Sequence, residues 1–419
     1  MKTLFIVAPH FPPSAMPPSQ RVRLLVRHCT EFGFFPYAFT VAAKNREEIP
    51  DPWMKELLGL DYKEIRVGCL HQNITRRIGL GDLGLRMLPF LFFKLWKESI
   101  RRKPAFILYP VPPWYILIIA PIIKWITGTK YGIDFIDPWV HEQANEYHNF
   151  KYRASQWIAR RLEHWVTLHA DVIFSVSEGI NANLKSRHPE LLTKPMFAIP
   201  YGAEQDDFLL MQNKHLIDTK NKKITIRYIG AIWNDCYSVL DGLMTAFSEV
   251  SKEISISLEF YGTSYAGEGL AKKQLDKWIE TLDMHSYTSE QPLRVSYAKA
   301  VELTMNADIL FVLGGMQPYY AASKLMGLIV SGKPFLAFVH KDSFPAIILQ
   351  EMNYPYLITY SSAHKETPEC KTIELADMIK ELILKRNDFK PLNLNHPLIK
   401  QNTATGMTQF FLEKIDATL

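Results

Sequence analysis

The chain has 419 residues, of which 47% are hydrophobic and 22% are charged. These fractions exclude wholesale disorder and fibrous structure, and the length predicts two or three domains with cores of their own. A formal net charge of +5 is too small to indicate a nucleic-acid-binding protein. The four cysteines are far apart and form no CxxC pair, which argues against a disulfide scaffold and favours a reducing compartment.

The beginning of the chain and its most apolar stretch both bear on location. Lys2 is followed by a short apolar run that ends at Pro9 without a small-residue cleavage site, so we expect no secretory signal. Residues 111–126 are too few for a membrane span of about 20 residues and include three prolines and a lysine. We therefore expect a soluble, cytoplasmic protein.

Predicted strands alternate with predicted helices along the first half of the chain. The apolar run at 3–8 is typical of a strand buried on both faces, and a helix predicted at 20–32 ends at Gly33, a suitable cap. Further strands are predicted at 37–42, 64–67, 105–109, 130–136, 172–176 and 196–199, and long helices at 83–103 and 153–169. This alternation predicts a doubly wound parallel sheet.

A polar stretch at 204–223 interrupts the pattern, and we interpret it as a linker because few of its residues are apolar. Strands are then predicted at 224–229, 256–261, 294–297, 309–313, 334–339 and 356–359. The sequence thus predicts four segments: an N-terminal domain at 1–203, the linker, a C-terminal domain at 224–390, and a tail at 391–419 whose terminal helix packs back on the N-terminal domain. Two such domains facing each other would form a cleft, where open α/β sheets bind ligands.

Five segments of the chain, in order and at matching intervals, resemble glycosyltransferase family 4 and its relatives. They are Phe5–Pro13 with Arg21 downstream, Asp134–Trp139 (similar to the Asp-Pro-Trp turn of one bacterial subset), 170–178 with 199–202 and Phe208, Tyr228–Ala231, and 307–314 with 323–325 and 331–334. The resemblance implies the α/β GT-B fold, two Rossmann-like domains facing across a cleft. It also implies transfer of a sugar from a nucleotide-sugar donor to a cell-surface glycan or lipid-linked acceptor, with retention and without a cofactor.

The resemblance places the donor-binding residues in the second domain, at Gly230, Gly262, Ser323, Lys324 and Leu325. A helix beginning near residue 322 would direct free backbone N–H groups at a diphosphate, and Lys324 would add a positive charge. The two glycines follow strands and would let a phosphate or sugar approach the backbone. The alternatives are that Ser323 is an ordinary N-cap beside an exposed lysine, and that the glycines only form tight turns.

On the acceptor or phosphate side, the candidates are Pro13, Arg21, Asp137 and His141. Pro13 would stiffen its loop, and Arg21 could pair with a phosphate, unless its helix simply turns a charged face to solvent. Asp137 follows a predicted strand at a point where the family commonly has a histidine, so it could hold the acceptor hydroxyl or act as a base. The alternatives are that Asp137 caps a turn and that His141 is a bystander.

Two donor-side features of the family are missing from this chain. The Glu-x7-Glu pair that holds the ribose corresponds to Tyr319 and Gly327, which leaves backbone groups or nearby tyrosine hydroxyls as substitutes. The cation that commonly follows the glycine equivalent to Gly230 is also absent, and its loss would remove several kcal/mol of transition-state stabilisation. Lys324 or Arg227 would have to replace it.

Other patterns leave several interpretations open. Scattered histidines and the lack of an Asp-x-Asp pair after a strand predict no bound metal. Residues 83–103 combine aromatic side chains with a basic end, which indicates either a helix lying in a membrane interface or a core helix with a cationic last turn. Besides a glycosyltransferase, the sequence allows a sugar-nucleotide epimerase on the same fold, or a non-catalytic relative that acts as a binding or scaffold subunit.

Overall fold

The computed structural model describes residues 1–42, 50–75, 81–140, 150–212, 223–264, 266, 269–317, 324–363 and 366–419. The chain forms two compact units, Met1–Gly202 with Ala404–Leu419, and Ala203–Thr403. We call them the N-terminal and C-terminal domains. Each contains one parallel sheet with alternating helices, so the predicted class of two doubly wound parallel-sheet domains is confirmed.

The N-terminal sheet has seven strands in the order β3-β2-β1-β4-β5-β6-β7. They are Lys2–Val7 (β1), Phe34–Val41 (β2), Lys63–Val67 (β3), Phe106–Val111 (β4), Lys130–Phe135 (β5), Val172–Ser175 (β6) and Met196–Ala198 (β7). The C-terminal sheet has six, in the order β10-β9-β8-β11-β12-β13. They are Ile224–Ile229 (β8), Ile256–Tyr261 (β9), Thr288–Gln291 (β10), Ile309–Leu313 (β11), Phe335–His340 (β12) and Leu357–Tyr360 (β13).

The helices connect these strands and cover the sheets. Those of the N-terminal domain are Pro17–His28 (α1), Pro52–Glu56 (α2), Gln72–Thr75 (α3), Leu83–Arg102 (α4), Ala120–Thr127 (α5), Phe150–His169 (α6) and Glu178–Arg187 (α7). Those of the C-terminal domain are Gln205–Gln212 (α8), Tyr237–Ser251 (α9), Asp276–Thr281 (α10), Tyr297–Met305 (α11), Leu325–Ser331 (α12), Phe344–Glu351 (α13), Thr372–Lys385 (α14) and Pro397–Lys400 (α15). The terminal helix, Ala404–Asp416 (α16), belongs to the N-terminal domain.

Two apolar clusters form the core of the N-terminal domain. One includes buried residues of α4, α5 and α6, and the other includes buried residues of α1 and α16. In the second cluster Phe411 of α16 packs on Phe174 of β6, with ring centroids 4.6 Å apart. The terminal helix therefore completes the core of a domain whose other residues end at Gly202.

Three expectations about the C-terminal domain differ from the structure. The strand expected at 294–297 lies earlier, at β10, because this edge strand has half-exposed polar residues and carries no apolar pattern, whereas Tyr297 already begins α11. The expected linker begins with helix α8, in which Phe208 is buried and the buried Asp207 accepts a hydrogen bond from the Tyr297 hydroxyl at 2.7 Å. Residues 391–403, expected in the tail, also belong to this domain.

Arg21 of α1 is buried beneath the carboxyl end of the N-terminal sheet. Its Nε and Nη2 donate to the Asp134 carboxylate of β5 at 2.6 and 2.9 Å, and its Nη1 donates to the Pro200 carbonyl at 3.2 Å. The guanidinium also lies 5.1 Å from the Phe411 ring of α16. The solvated-face interpretation is therefore wrong, because the guanidinium is buried and its Nε and both Nη atoms donate to partners within the domain.

We predict that Arg21→Ala lowers the free energy of unfolding by about 3–5 kcal/mol, because it leaves the Asp134 carboxylate buried without its partner. The measurement is urea unfolding followed by circular dichroism. Lys252→Ala is the matched control, since it removes an exposed ion pair with Glu249 and should cost less than about 1 kcal/mol. Equal losses in the two variants would contradict a structural role for the buried pair.

Candidate functional site

The strand order of the C-terminal sheet defines where a ligand is expected. From the central strand β8 the chain proceeds outward through β9 and β10, and then returns to the other side of β8 with β11. Open parallel sheets bind ligands at such a reversal, beyond the carboxyl ends of the strands. Gly230 follows β8 and Gly314 follows β11, so the loops that carry them flank this point.

At this point the structure brings Gly230 and Lys324 together. A Cβ atom placed on Gly230 would overlap the Lys324 ammonium nitrogen and would lie 3.0 Å from the Tyr228 hydroxyl. The ammonium also lies 5.3 Å from the centroid of the Tyr228 ring, a cation–π distance. The sequence predicts both residues for donor binding, and the structure shows that the missing side chain at 230 provides the space for the cation.

The electrostatic surroundings of Lys324 favour its neutral form before a ligand binds. Protein atoms around the ammonium desolvate it, and the nearby positive charge of Arg294 adds to the effect, so the pKa of Lys324 falls to about 7. Burial raises the pKa of the adjacent Cys236 thiol to about 12, so this group stays uncharged. The Lys324 residue as a whole is exposed to solvent, whereas its ammonium end is enclosed against Gly230 and Tyr228.

A second close approach connects the loop after β11 to the segment after β8. A Cβ atom on Gly315 would overlap the Asp235 carboxylate, which accepts a hydrogen bond from the Gln317 backbone N–H at 3.3 Å. The Met316 N–H donates to the Asp235 backbone carbonyl at 3.3 Å. These contacts hold the two loops of the site together, and neither Gly230 nor Gly315 has room for a side chain.

The other donor-side candidates have different environments. Gly262 has φ +70°, and the nearest neighbour of a Cβ atom placed on it would be the Arg294 Cα at 3.7 Å, so the tight-turn interpretation fits it. The Leu325 side chain is fully buried as the first residue of α12, and only its backbone could meet a ligand. Ser323 and Tyr319 lie outside the described residues, and the helix expected to begin near residue 322 begins at Leu325, with Lys324 as its N-cap residue.

Two further expectations concern the missing donor-side groups. Arg227 cannot replace the absent cation, because its Nε and Nη2 donate to the Glu259 carboxylate at 2.9 and 2.7 Å and the side chain is largely buried. Gly327 lies against Phe208 of α8, whose ring would be 3.6 Å from an added Cβ. Where the family has a ribose-binding glutamate, this chain therefore has a glycine packed against an aromatic side chain.

In the N-terminal sheet the corresponding reversal lies between β1 and β4. Pro13 follows β1, is partly buried, and accepts a hydrogen bond from the Asp51 N–H at 2.7 Å through its carbonyl. Asp137 lies exposed two residues beyond β5, and its backbone carbonyl accepts a hydrogen bond from Trp114 Nε1 at 3.3 Å. His141 lies outside the described residues.

Sequence reasoning misses three residues: Arg294 in the C-terminal domain, and Asp82 and His10 in the N-terminal domain. It places Arg294 in a strand, although this residue lies exposed in the loop between β10 and α11. Asp82 caps α4, and burial raises its pKa against the opposing effects of the Leu85 and Gly84 N–H groups and of His10. The signal that could have identified His10 is its position shortly after the end of the first buried strand, which is Val7.

The sequence matches no family model and no curated protein. Solved structures do share the fold. HepE of Anabaena in complex with UDP-glucose aligns over 100% of both chains, with a TM-score of 0.62 and 12% identity. A glycosyltransferase from Rickettsia africae aligns over 100% of this chain and 98% of its own, with a TM-score of 0.59 and 12% identity. The UDP-GlcNAc 2-epimerase of Methanocaldococcus jannaschii aligns over 100% of both, with a TM-score of 0.52 and 9% identity.

These neighbours establish the architecture as that of the GT-B proteins, two Rossmann-like domains in one chain. At such low identity the likeness shows the fold alone. The neighbours include both transferases and epimerases, so the choice between the two activities depends on the residues of the site.

We predict that the rate at which a lysine-acylating reagent modifies Lys324 levels off above about pH 7, whereas the rate for the lysine of an added model peptide still rises up to about pH 9. The lowered pKa leaves Lys324 mostly as the nucleophilic neutral amine above about pH 7, and the shape of this pH profile does not depend on how fast the reagent reaches the enclosed amine. Peptide mass spectrometry after short reaction times measures both rates in the same sample. A rate for Lys324 that still rises above about pH 8, in parallel with the peptide, would show that its pKa is not lowered.

Proposed function

We propose that this protein is a glycosyltransferase that binds a nucleotide-sugar donor in its C-terminal domain, with the donor diphosphate over Gly230 and in contact with the Lys324 ammonium. The observation that carries the proposal is the space left by Gly230 at the strand-order reversal, filled by the Lys324 ammonium nitrogen. A diphosphate bound beside the Lys324 ammonium would receive a charge-assisted hydrogen bond from it, and Gly230 leaves the room in which that ammonium lies.

Arg294 is the second donor-side cation in this proposal. It is solvent-exposed, follows the edge strand β10, and acts on Lys324 through its positive charge. It would supply the charge that the chain lacks after Gly230, since Arg227 is paired with Glu259. A pair of cations without a metal ion can neutralise a leaving diphosphate.

The acceptor is proposed to be a cell-surface glycan or a lipid-linked precursor, to which the sugar is transferred with retention. Asp137 is proposed to hold or activate the acceptor hydroxyl, because it is exposed beyond the carboxyl end of β5. Helix α4 is proposed to contact the inner face of the membrane and so to bring the enzyme to such an acceptor. No helix in the described part of the chain is long and apolar enough to span a bilayer.

A sugar-nucleotide epimerase is the second candidate, and the likeness to the UDP-GlcNAc 2-epimerase of Methanocaldococcus jannaschii is the observation in its favour. An epimerase needs acid and base groups around the sugar ring, whereas a transferase needs cations at the leaving diphosphate. The two cations Lys324 and Arg294 fit the requirement of a transferase. The third alternative, a non-catalytic binding or scaffold subunit, would bind donor without consuming it.

We predict that Lys324→Gln weakens binding of the preferred nucleoside diphosphosugar by about tenfold to hundredfold, since a hydrogen bond to a charged group contributes about 1.5–3 kcal/mol. Calorimetric titration with uridine, guanosine, adenosine and cytidine diphosphosugars first identifies the donor. Lys252→Gln is the matched control, because Lys252 is exposed, pairs with Glu249, and lies between the end of α9 and the beginning of β9, at the opposite edge of the sheet.

The same samples separate the three activities. Slow release of free sugar from the bound donor supports a transferase, an epimerised donor without acceptor supports the epimerase, and an unchanged donor supports the non-catalytic subunit. Failure of the wild-type protein to bind any donor in the panel, or an unchanged affinity in Lys324→Gln, would overturn the proposed site.

We also predict that donor affinity falls as pH rises through the pKa of Lys324, which is lowered from 10.5 to about 7. A bound diphosphate favours the ammonium, so binding above that pKa must take up a proton and weakens by about tenfold per pH unit. Titrations from about pH 6 to 9 measure the profile. In Lys324→Arg the guanidinium keeps its charge, so the profile should be flat; identical profiles in the two proteins would contradict the assignment.

A further inference from the structure

Helices α4, α5 and α6 lie side by side on the N-terminal sheet. Their inner faces contribute Leu91, Ile123 and Val166 to one apolar cluster, and α5 contacts both of its neighbours. Their outer faces therefore form a continuous surface, which we call the three-helix surface.

Large apolar side chains protrude from all three helices of this surface. Trp125 of α5 is 85% exposed, Phe93 of α4 is 63% exposed, and Trp157 of α6 is 61% exposed. Ile100 and Ile158 extend the apolar area on α4 and α6. On α4 the exposed residues lie opposite the buried Leu91 and Leu95, so the outer stripe is as regular as the inner one.

The charges on the three helices have one sign at the surface. The two carboxylates of these helices, Glu98 and Glu163, are both buried. Glu98 accepts hydrogen bonds from Arg101 and Arg102, and Glu163 accepts from Arg187. Apart from His169, the exposed ionisable residues described on the three helices are all cations: Lys97, Arg101, Arg153, Arg160 and Arg161. The outer faces therefore present positive charge without an exposed carboxylate among their described residues.

We propose that the three-helix surface docks the protein on an anionic lipid bilayer, with α4, α5 and α6 all in contact with the membrane. This extends the membrane contact of α4 in the proposed function to two more helices, and it stands independently of sugar transfer. The occupant follows from the chemistry of the surface: exposed Trp and Phe rings enter the headgroup region, while Lys and Arg pair with anionic headgroups. No helix in the described residues can span the bilayer, so the contact is a surface one.

The arrangement of rings and cations distinguishes a bilayer from other polyanions. The rings stand outermost on their helices, and the Arg161 guanidinium lies 5.0 Å from the Trp157 ring, where both can enter the interface together. Binding to a nucleic acid would depend on the cations, with the exposed isoleucines contributing nothing to phosphate contacts. Bilayer binding should depend on both groups.

The test is sedimentation of the full chain with phosphatidylcholine vesicles, with and without phosphatidylglycerol, in the absence of any sugar nucleotide. We expect binding to the anionic vesicles and at least about tenfold weaker binding to the neutral ones, with a further decrease as salt rises. Trp125→Ala and Trp157→Ala should each lower partitioning at least about fivefold, as should Phe93→Ala. Ile373→Ala is the matched control, because Ile373 is 79% exposed in the C-terminal domain.

The other outcomes overturn the proposal. Wild-type protein that does not sediment with anionic vesicles excludes membrane docking, and an effect of Phe93→Ala without effects of Trp125→Ala and Trp157→Ala excludes the contribution of α5 and α6. If Arg160→Gln with Arg161→Gln abolishes binding to a soluble polyanion such as heparin while the tryptophan variants leave vesicle binding intact, the surface binds polyanions instead. Donor binding, measured separately, is expected to be unchanged in every variant.

Discussion

The Lys324 ammonium lies in the space that a side chain at position 230 would fill, and the candidate donor site depends on this contact. It requires a strand, β8, that is followed directly by a residue without a Cβ atom, and a loop after β11 that returns to the same edge of the sheet. The strand order supplies the second condition, since β11 lies next to β8. A desolvated amine at this point gains its full charge when a phosphate arrives, so ligand binding and protonation are coupled there.

The pairing of each cation decides whether it is available to a ligand. Arg21 and Arg227 are both buried and donate to the carboxylates of Asp134 and Glu259, and these bonds hold elements of their own domains together. Lys324, by contrast, has no carboxylate partner among the described residues, and burial lowers its pKa. On α4, α5 and α6 the described carboxylates are buried, whereas the cations of the outer faces are exposed to water. These cations therefore either form ion pairs within a domain or lie where an anionic ligand or lipid is proposed to bind.

Sequence reasoning predicts the strands and helices where apolar runs are strong, and fails where packing decides the outcome. The strands β1, β8 and β11 are predictable because most of their residues are apolar. Strand β10 is not, because Thr288–Gln291 is a polar edge strand, and the misplacement of Arg294 is a consequence. Helix α8 has the composition of a linker, so its sequence does not predict a packed helix. Its Asp207 and Phe208 are nevertheless buried, and their partners lie far along the chain.

For the candidate site, the sequence predicts individual residues but not the contacts between them. Gly230 and Lys324 can be proposed from the resemblance, but their contact depends on how the loops after β8 and β11 meet, which no local pattern encodes. The pairing of Arg21 with Asp134 joins residues more than a hundred positions apart, so the sequence leaves open whether this arginine faces a ligand or the core.

The most direct test of the central claim is a structure of the protein with its nucleoside diphosphosugar bound. Our account predicts that the donor's diphosphate lies above Gly230, within hydrogen-bond distance of Lys324 Nζ, at the carboxyl ends of β8 and β11. A donor bound with its diphosphate elsewhere in the chain, and with Lys324 Nζ still against the Gly230 backbone and out of reach of the ligand, would contradict it.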